Sequence, residues 1–401
     1  MPDPEDDALK ATITCFYCGF DKPKSEFSDE HIWPDALGGD YLPHFWRTND
    51  VCARCNSISG VFVDGAFIRS WAGARERGED ARIYLSPTEP HKAPLPLNYL
   101  GRVSDPAVPA GSIADWWVGP CGATIIHFRP QEISEQWKHY IGGDPRAKKA
   151  AAGRAYIAFA SGAEYWVIAA LASFKKHFKR AKRYVVTPGL PPEWKAFEQV
   201  DRNNPDQRPE MILVDKILDR ARAGKMSEAR LEINFADSGQ RWLCKLGLAV
   251  GCQLFGASFG AHADGNLLRR AFREADPAKR QQFKIRGSGY FSGTGDDKSP
   301  LTWPAGWVLM LQVINEILSF TVITPSGQTM GIAITDDPSL IGKVPSDIAA
   351  GQVWIVAPSA ERAVGPITMP DYAAHITKSI LHPDLSGLDV LRNDLSLLPK
   401  C

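Results

Sequence analysis

Residues 14–67 read TCFYCGFDKPKSEFSDEHIWPDALGGDYLPHFWRTNDVCARCNSISGVFVDGAF and hold the densest chemistry of the 401-residue chain. Two Cys-x-x-Cys pairs, Cys15/Cys18 and Cys52/Cys55, bracket a Glu30-His31 pair, and Asn56 follows the last cysteine directly. Tetrahedral Zn²⁺ takes four soft or borderline ligands, and two such pairs supply four thiolates from tight turns. The 33 residues between Cys18 and Cys52 exceed the commonest zinc-finger spacing, so they must carry structure of their own. Two independent redox or buried Cys pairs are the bland alternative. A closed four-Cys site leaves no coordination position for a substrate. Any catalysis therefore needs a second centre.

Glu30 and His31 offer that centre. A neutral imidazole can take a proton from water, which makes His31 a candidate general base. A carboxylate such as Glu30 can ligate a hard cation, Mg²⁺ or Mn²⁺, through oxygen. Neighbours on a regular strand point to opposite faces, so both reach one site only if the strand ends or twists there. Pro34 and the turn Leu37-Gly38-Gly39 supply such an ending. Asn56, fixed beside a zinc thiolate, is a second candidate cation ligand. Asp64 is a third, against a reading as a helix-surface carboxylate or cap. His44 is a spare imidazole.

The order Cys-x-x-Cys, Ser-x-x-Glu-His-Ile-x-Pro-x-x-Leu-Gly-Gly, Cys-x-x-Cys-Asn resembles the HNH endonuclease family in its four-Cys zinc-bearing branch. The resemblance covers about 60 residues. It implies a ββα-metal fold, with His31 activating water and Glu30 and Asn56 holding one divalent cation. It implies that Asn49 orients His31, with Thr48 and Asp50 as neighbouring alternatives. The third letter of the family name is here Asn56 rather than His. DNA is the implied substrate and RNA the alternative, with 5′-phosphate and 3′-hydroxyl products.

Composition is that of an ordinary globular protein, 44% hydrophobic and 23% charged, with zero formal net charge. A general pull toward polyanions is not predicted, and any basic surface must be local. The start MPDPEDDALK lacks the basic and apolar regions of a signal peptide, and the most apolar run, 246–261, is interrupted by glycines. The expectation is a cytoplasmic protein without a membrane span. Cys121, Cys244, Cys252 and Cys401 show no framework spacing.

The fold class expected is α+β: a small N-terminal ββα-metal domain over 1–85, a Pro-rich linker over 86–98, and a mixed α+β region over 99–401. A sub-boundary is set near 188–210, where five prolines fall. In the larger region the patterns predict a hairpin over 114–128, a helix over 163–183 and a helix over 240–255 capped by Asp237 or Ser238. They also predict strands over 307–313 and 353–356, and a second hairpin from 318–323 and 330–334. The Gly-rich stretch 287–295 lacks the Gly-Lys-Ser/Thr ending of a phosphate loop and reads as a loop.

Between Asp144 and Arg183 there are ten Lys/Arg against two acids. Lys175, Lys176, Lys179, Arg180, Lys182 and Arg183 cluster at the predicted helix end. They form a candidate phosphate-tracking surface or, equally, a set of solvated helix-end cations. Trp33, Phe45 and Trp46 read as core of the small domain rather than as base-stacking platforms. Three functions follow: a metal-dependent endonuclease whose C-terminal region senses or targets, with bacterial defence the guessed setting; a non-catalytic zinc-dependent nucleic-acid-binding protein; or an effector gated by a small molecule or protein partner. Oligomeric state is not legible.

Overall fold

The computed structural model describes residues 12–92, 95–134, 140–148, 151–187, 197–225, 227–230, 235–289 and 298–401. The motif stretch begins with a short hairpin, β1 (Thr12–Thr14) and β2 (Asp21–Pro23), and continues with β3 (Phe27–His31) and β4 (Arg47–Cys52). Helix α1 (Ala53–Ser59) follows β4 directly. A π-turn at Gly60–Asp64 leads into α2 (Gly65–Arg69). Antiparallel β3 and β4 followed by α1 make the expected ββα unit.

Next come α3 (Trp71–Ile83), β5 (Asn98–Val103), β6 (Ser112–Val118), β7 (Thr124–Pro130), β8 (Arg154–Ala158), α4 (Glu164–His177), β9 (Lys182–Val185), β10 (Glu198–Gln199), α5 (Arg208–Arg222) and β11 (Ala229–Arg230). Their seven strands form one sheet in the order β10-β9-β8-β7-β6-β5-β11. The β6–β7 hairpin lies as predicted, while β8 and β9 are parallel with α4 as the crossover. Strand alternation serves both faces. Trp117, Ile125 and Ile157 pack with Leu171 and Phe174 of α4; Ile126, Phe128 and Tyr156 pack with Met211, Val214 and Ile217 of α5. The predicted helix 163–183 stops at His177, and residues 182–185 pair instead with β8. Lys182 and Arg183 thus belong to a strand. Cys121 and Cys401, scattered in sequence, are joined by a disulfide in this unit.

The chain then runs through α6 (Phe235–Phe255), α7 (Ala263–Arg273), β12 (Gly287–Ser288), β13 (Trp307–Ile314), β14 (Ile317–Ile323), β15 (Thr329–Thr335), β16 (Gln352–Ala357), β17 (Arg362–Thr368) and α8 (Met369–Ile376). The six strands form an antiparallel sheet in the order β12-β15-β14-β13-β16-β17. Helix α6 starts at Phe235, so positions 237 and 238 lie inside its first turn and not before it. Gly287 and Ser288 add an edge strand where a loop was predicted, and 290–297 lie outside the described residues.

Two compact units result. One comprises Met1–Ile68 with Asn234–Arg392; the other comprises Arg69–Ile233 with Asn393–Cys401. This division differs from one placed in the 86–98 linker. The motif stretch does not stand alone: Trp33, Trp46 and Phe67 are buried against the six-stranded sheet and α6. Trp33 packs on Trp242 at 5.3 Å and Trp307 at 5.6 Å, and Phe67 stacks on Trp242 at 4.1 Å. Trp46 meets Trp354 at 5.1 Å and Phe320 at 5.5 Å, and Phe45 stacks on Trp354. Trp33 and Trp46 are core, as expected, while Phe45 is half-buried. A stretch this short cannot bury Trp33 and Trp46 by itself, so the C-terminal sheet supplies the other half of its core. The Gly38 turn shows the fit: its φ is +88°, and a Cβ there would lie 2.6 Å from Val356 of β16.

Candidate functional site

The four cysteines converge. The sulfur atoms of Cys15, Cys18, Cys52 and Cys55 all lie within 4.8 Å of one another. In a tetrahedral zinc site, sulfurs about 2.3 Å from the metal stand about 3.8 Å apart, so this set fits such an ion. The Cys52 amide points at Cys15 Sγ from 3.3 Å. A hydrogen bond from Cys55, then the amides of Cys52, Cys18 and Tyr17, draw Cys15 down to about 4 against the effect of burial. Cys55 is pushed up, first by its hydrogen bond to Cys15, and Cys18 is pushed up by burial. Four close thiols cannot all ionise without a cation among them. The donor set is one that binds zinc. Helix α7 clamps the first knuckle: Arg269 donates to Phe16 O and Gly260 O, and Arg273 donates to Tyr17 O.

The β3–β4 register carries an irregularity between Ser28 and Glu30, placing Glu30 opposite Thr48 and His31 opposite Arg47. Glu30 turns inward and is 4% exposed. Its Oε1 accepts from the Tyr17 hydroxyl at 2.8 Å and lies 2.8 Å from Lys245 Nζ. The same Nζ donates to Asp64 Oδ2 at 2.6 Å. Lys245 lies among the apolar residues of α6 and is fully buried. Burial draws its pKa down, but Asp64 and Glu30 more than offset this and hold it charged. Asp64 is pushed up to about 6 by burial, with Lys245 opposing. Asp64 is therefore neither a helix-surface carboxylate nor a cap. The π-turn at Gly60–Asp64 rotates it into the interior.

His31 faces another way. Its Nε2 lies 2.9 Å from Asp40 Oδ1, off the line of a good hydrogen bond. Arg47 donates to the same oxygen and to the Asp40 carbonyl, both at 2.9 Å. A hydrogen bond from Asp35 holds Asp40 below the usual carboxylate range, while the same bond raises Asp35. Asn49, expected beside His31, is exposed on β4, because alternation from buried Thr48 turns it outward. Thr48 Oγ1 accepts from the Asp50 amide instead. The carboxylate beside the imidazole is Asp40, which the sequence reading missed; its one signal was its place directly after Gly38-Gly39. His44 is exposed.

Asn56 reaches β3 from α1. Its Nδ2 donates to Asp29 O at 2.8 Å and to Ser28 Oγ at 3.1 Å. The Asp29 carbonyl belongs to the peptide that leads into Glu30. Asn56 is thus seated one residue from Glu30; among the described residues its Oδ1 has no partner, and both side-chain contacts to Glu30 fall on Oε1, leaving Oε2. Two such oxygens are the donors a hard divalent cation takes, so these residues fit one.

The basic cluster lies in the other unit and is split. Arg180 donates to Pro145 O and Ala147 O, and Arg183 donates to Lys175 O while covering the Phe197 ring. Lys175, Lys176, Lys179 and Lys182 are exposed and form no ion pair among the described residues.

No described helix is long and apolar enough to cross a membrane. No curated protein and no solved structure matches the chain. Residues 15–72 match the HNH endonuclease family, a match that spans both knuckles, the β3–β4 hairpin and α1: this protein carries an N-terminal HNH domain.

Proposed function

We propose that this protein is a metal-dependent HNH endonuclease that hydrolyses DNA phosphodiester bonds, with structural zinc on Cys15, Cys18, Cys52 and Cys55. The observation that carries this reading is the seat of Asn56. Its amide is bonded to the Asp29 carbonyl, which sets it against the end of the strand that bears Glu30 and His31. Glu30 Oε2 and Asn56 Oδ1 would hold Mg²⁺ or Mn²⁺. Such an ion, when bound, neutralises phosphate charge and stabilises the leaving oxygen. His31 takes a proton from the attacking water through Nδ1, while the Asp40 carboxylate, 2.9 Å from Nε2, favours the imidazolium that forms. Lys175, Lys176, Lys179 and Lys182 track phosphates and add affinity without base specificity. The larger part of the chain targets or regulates cutting, in a setting such as bacterial defence.

One observation favours a second reading, zinc-dependent nucleic-acid binding without cleavage: Glu30 is nearly buried and already paired with Lys245. Plasmid DNA with Mg²⁺ or Mn²⁺ separates the two. The wild type is expected to nick or cut. His31→Ala is expected to lose at least about a hundredfold in rate, with zinc content and melting unchanged. Cutting by that variant at the wild-type rate rejects the role of His31, and no cutting by folded wild type favours the second reading. In the same preparations, Lys175→Glu with Lys179→Glu should weaken DNA binding and lower its salt slope by about two. An unchanged slope would return these lysines to simple solvation.

A further inference from the structure

The cluster of Tyr17, Glu30, Asp64 and Lys245 is not accounted for by zinc binding or by the roles given to the HNH residues. All four residues are at most 8% exposed, and they come from the first knuckle, β3, the π-turn and α6. Lys245 and Asp64 are 181 residues apart in sequence. Two carboxylates against one ammonium give the cluster a formal charge of −1 when both acids are ionised. A buried excess charge is costly unless something balances it. The route by which an outside charge can balance it is Glu30: its Oε1 is taken by Tyr17 and Lys245, while its Oε2 has no partner among the described residues; Asp64 Oδ1 also lacks one but is fully buried.

We propose that Lys245, Asp64 and Tyr17 are positioning residues for the cation site: they hold Glu30 by one oxygen and set the net charge that a divalent ion meets there. This rests on the reading of Glu30 as a cation ligand and extends it, because Lys245 comes from the C-terminal part of the chain. Residues 234–392 then complete a site that the HNH stretch only begins. Tyr17 and Lys245 converge on Oε1 from two directions, so the carboxylate cannot rotate freely. Asp64 offsets the Lys245 charge that would otherwise cancel that of Glu30. With Asp64 ionised, the cluster attracts a cation; with Asp64 made neutral, Lys245 and Glu30 cancel.

The test measures Mn²⁺ binding to the intact, zinc-loaded chain at pH 8, by calorimetry or by the spin signal of free Mn²⁺, without DNA. The Glu30→Gln variant defines the Glu30-dependent site. Asp64→Asn takes the cluster from −1 to 0 and is expected to weaken Mn²⁺ binding at that site about tenfold. Lys245→Met combined with Asp64→Asn restores −1 and is expected to return affinity to within about threefold of wild type. Thermal melting establishes which variants are folded, and either folded variant decides the matter. Glu30-dependent binding that is unchanged in Asp64→Asn, or still weakened in the double variant, overturns this inference and leaves the nuclease reading standing. Wild-type Mn²⁺ binding that does not need Glu30 overturns the cation role of Glu30 and this inference with it.

Discussion

The same unit holds two charged clusters that solve one problem in opposite ways. The four cysteines bring together sulfur donors whose charge needs a cation from outside. Glu30 and Asp64 are brought together with a cation already supplied by the chain, Lys245. The first is specified by spacing within one stretch and could assemble wherever that stretch folds. The second exists only when α6 lies against β3 and the π-turn. An external ion ties a local segment to itself; an internal ammonium ties it to the rest of the unit. The HNH domain here is accordingly a part of a larger core, and not a bead on a linker.

The largest effect expected is at the external site. Cys52 is buried, and Cys52→Ser should abolish zinc binding and the cooperative melting of its unit, since structural zinc is worth on the order of 10 kcal/mol of folding energy. Elemental analysis should give about one zinc per wild-type chain. A folded, zinc-free wild type would remove the contrast between the clusters. The internal cation comes next. Lys245→Met strands two buried carboxylates and should cost about 3–5 kcal/mol in urea unfolding, with the added Asp64→Asn recovering much of it. If Lys245→Met melts like wild type, the ammonium does not tie the segment to α6. The smallest effect is a pH slope. Asp64 is raised from its ordinary 3.8 to about 6, so the folded state holds its proton more tightly than the unfolded state. Stability from this group is full below about pH 4 and falls by up to about 3 kcal/mol as pH rises to about 6, then levels. Asp64→Asn should erase that slope; a slope that persists would assign it to other groups.

Much of the architecture was readable. The β6–β7 hairpin, β13, the β14–β15 hairpin and β16 all fall where alternation and turn residues put them. Failures have local causes. Pro209 marked its surroundings as loop, yet it sits in the first turn of α5, where its missing N–H has no helical partner to lose. The helix over 163–183 was drawn too long because Lys182–Val185 can be helix or strand by composition, and only the neighbouring β8 decides. The 240–255 helix was drawn short because Asp237 and Ser238 are good caps in isolation. In the candidate site, Cys15, Cys18, Cys52 and Cys55 were found by spacing, while Asp40 and Lys245 were not found at all. Asp40 looks like any turn acid, and Lys245 like one more cation, after Arg241, on a mostly apolar helix.

The sequence by itself determined the thiolate cluster, the ββα unit and the identity of the segment as HNH, because each depends on residues close together in the chain and on backbone rules that act over a few positions. Only the tertiary structure decided where the side chains of Glu30 and His31 go. Adjacent residues on a strand face opposite ways, and what awaits each one, Lys245 within the core or Asp40 at its edge, comes from elsewhere in the fold. A buried charge takes whatever partner packing brings to it, and packing joins residues that no local pattern relates.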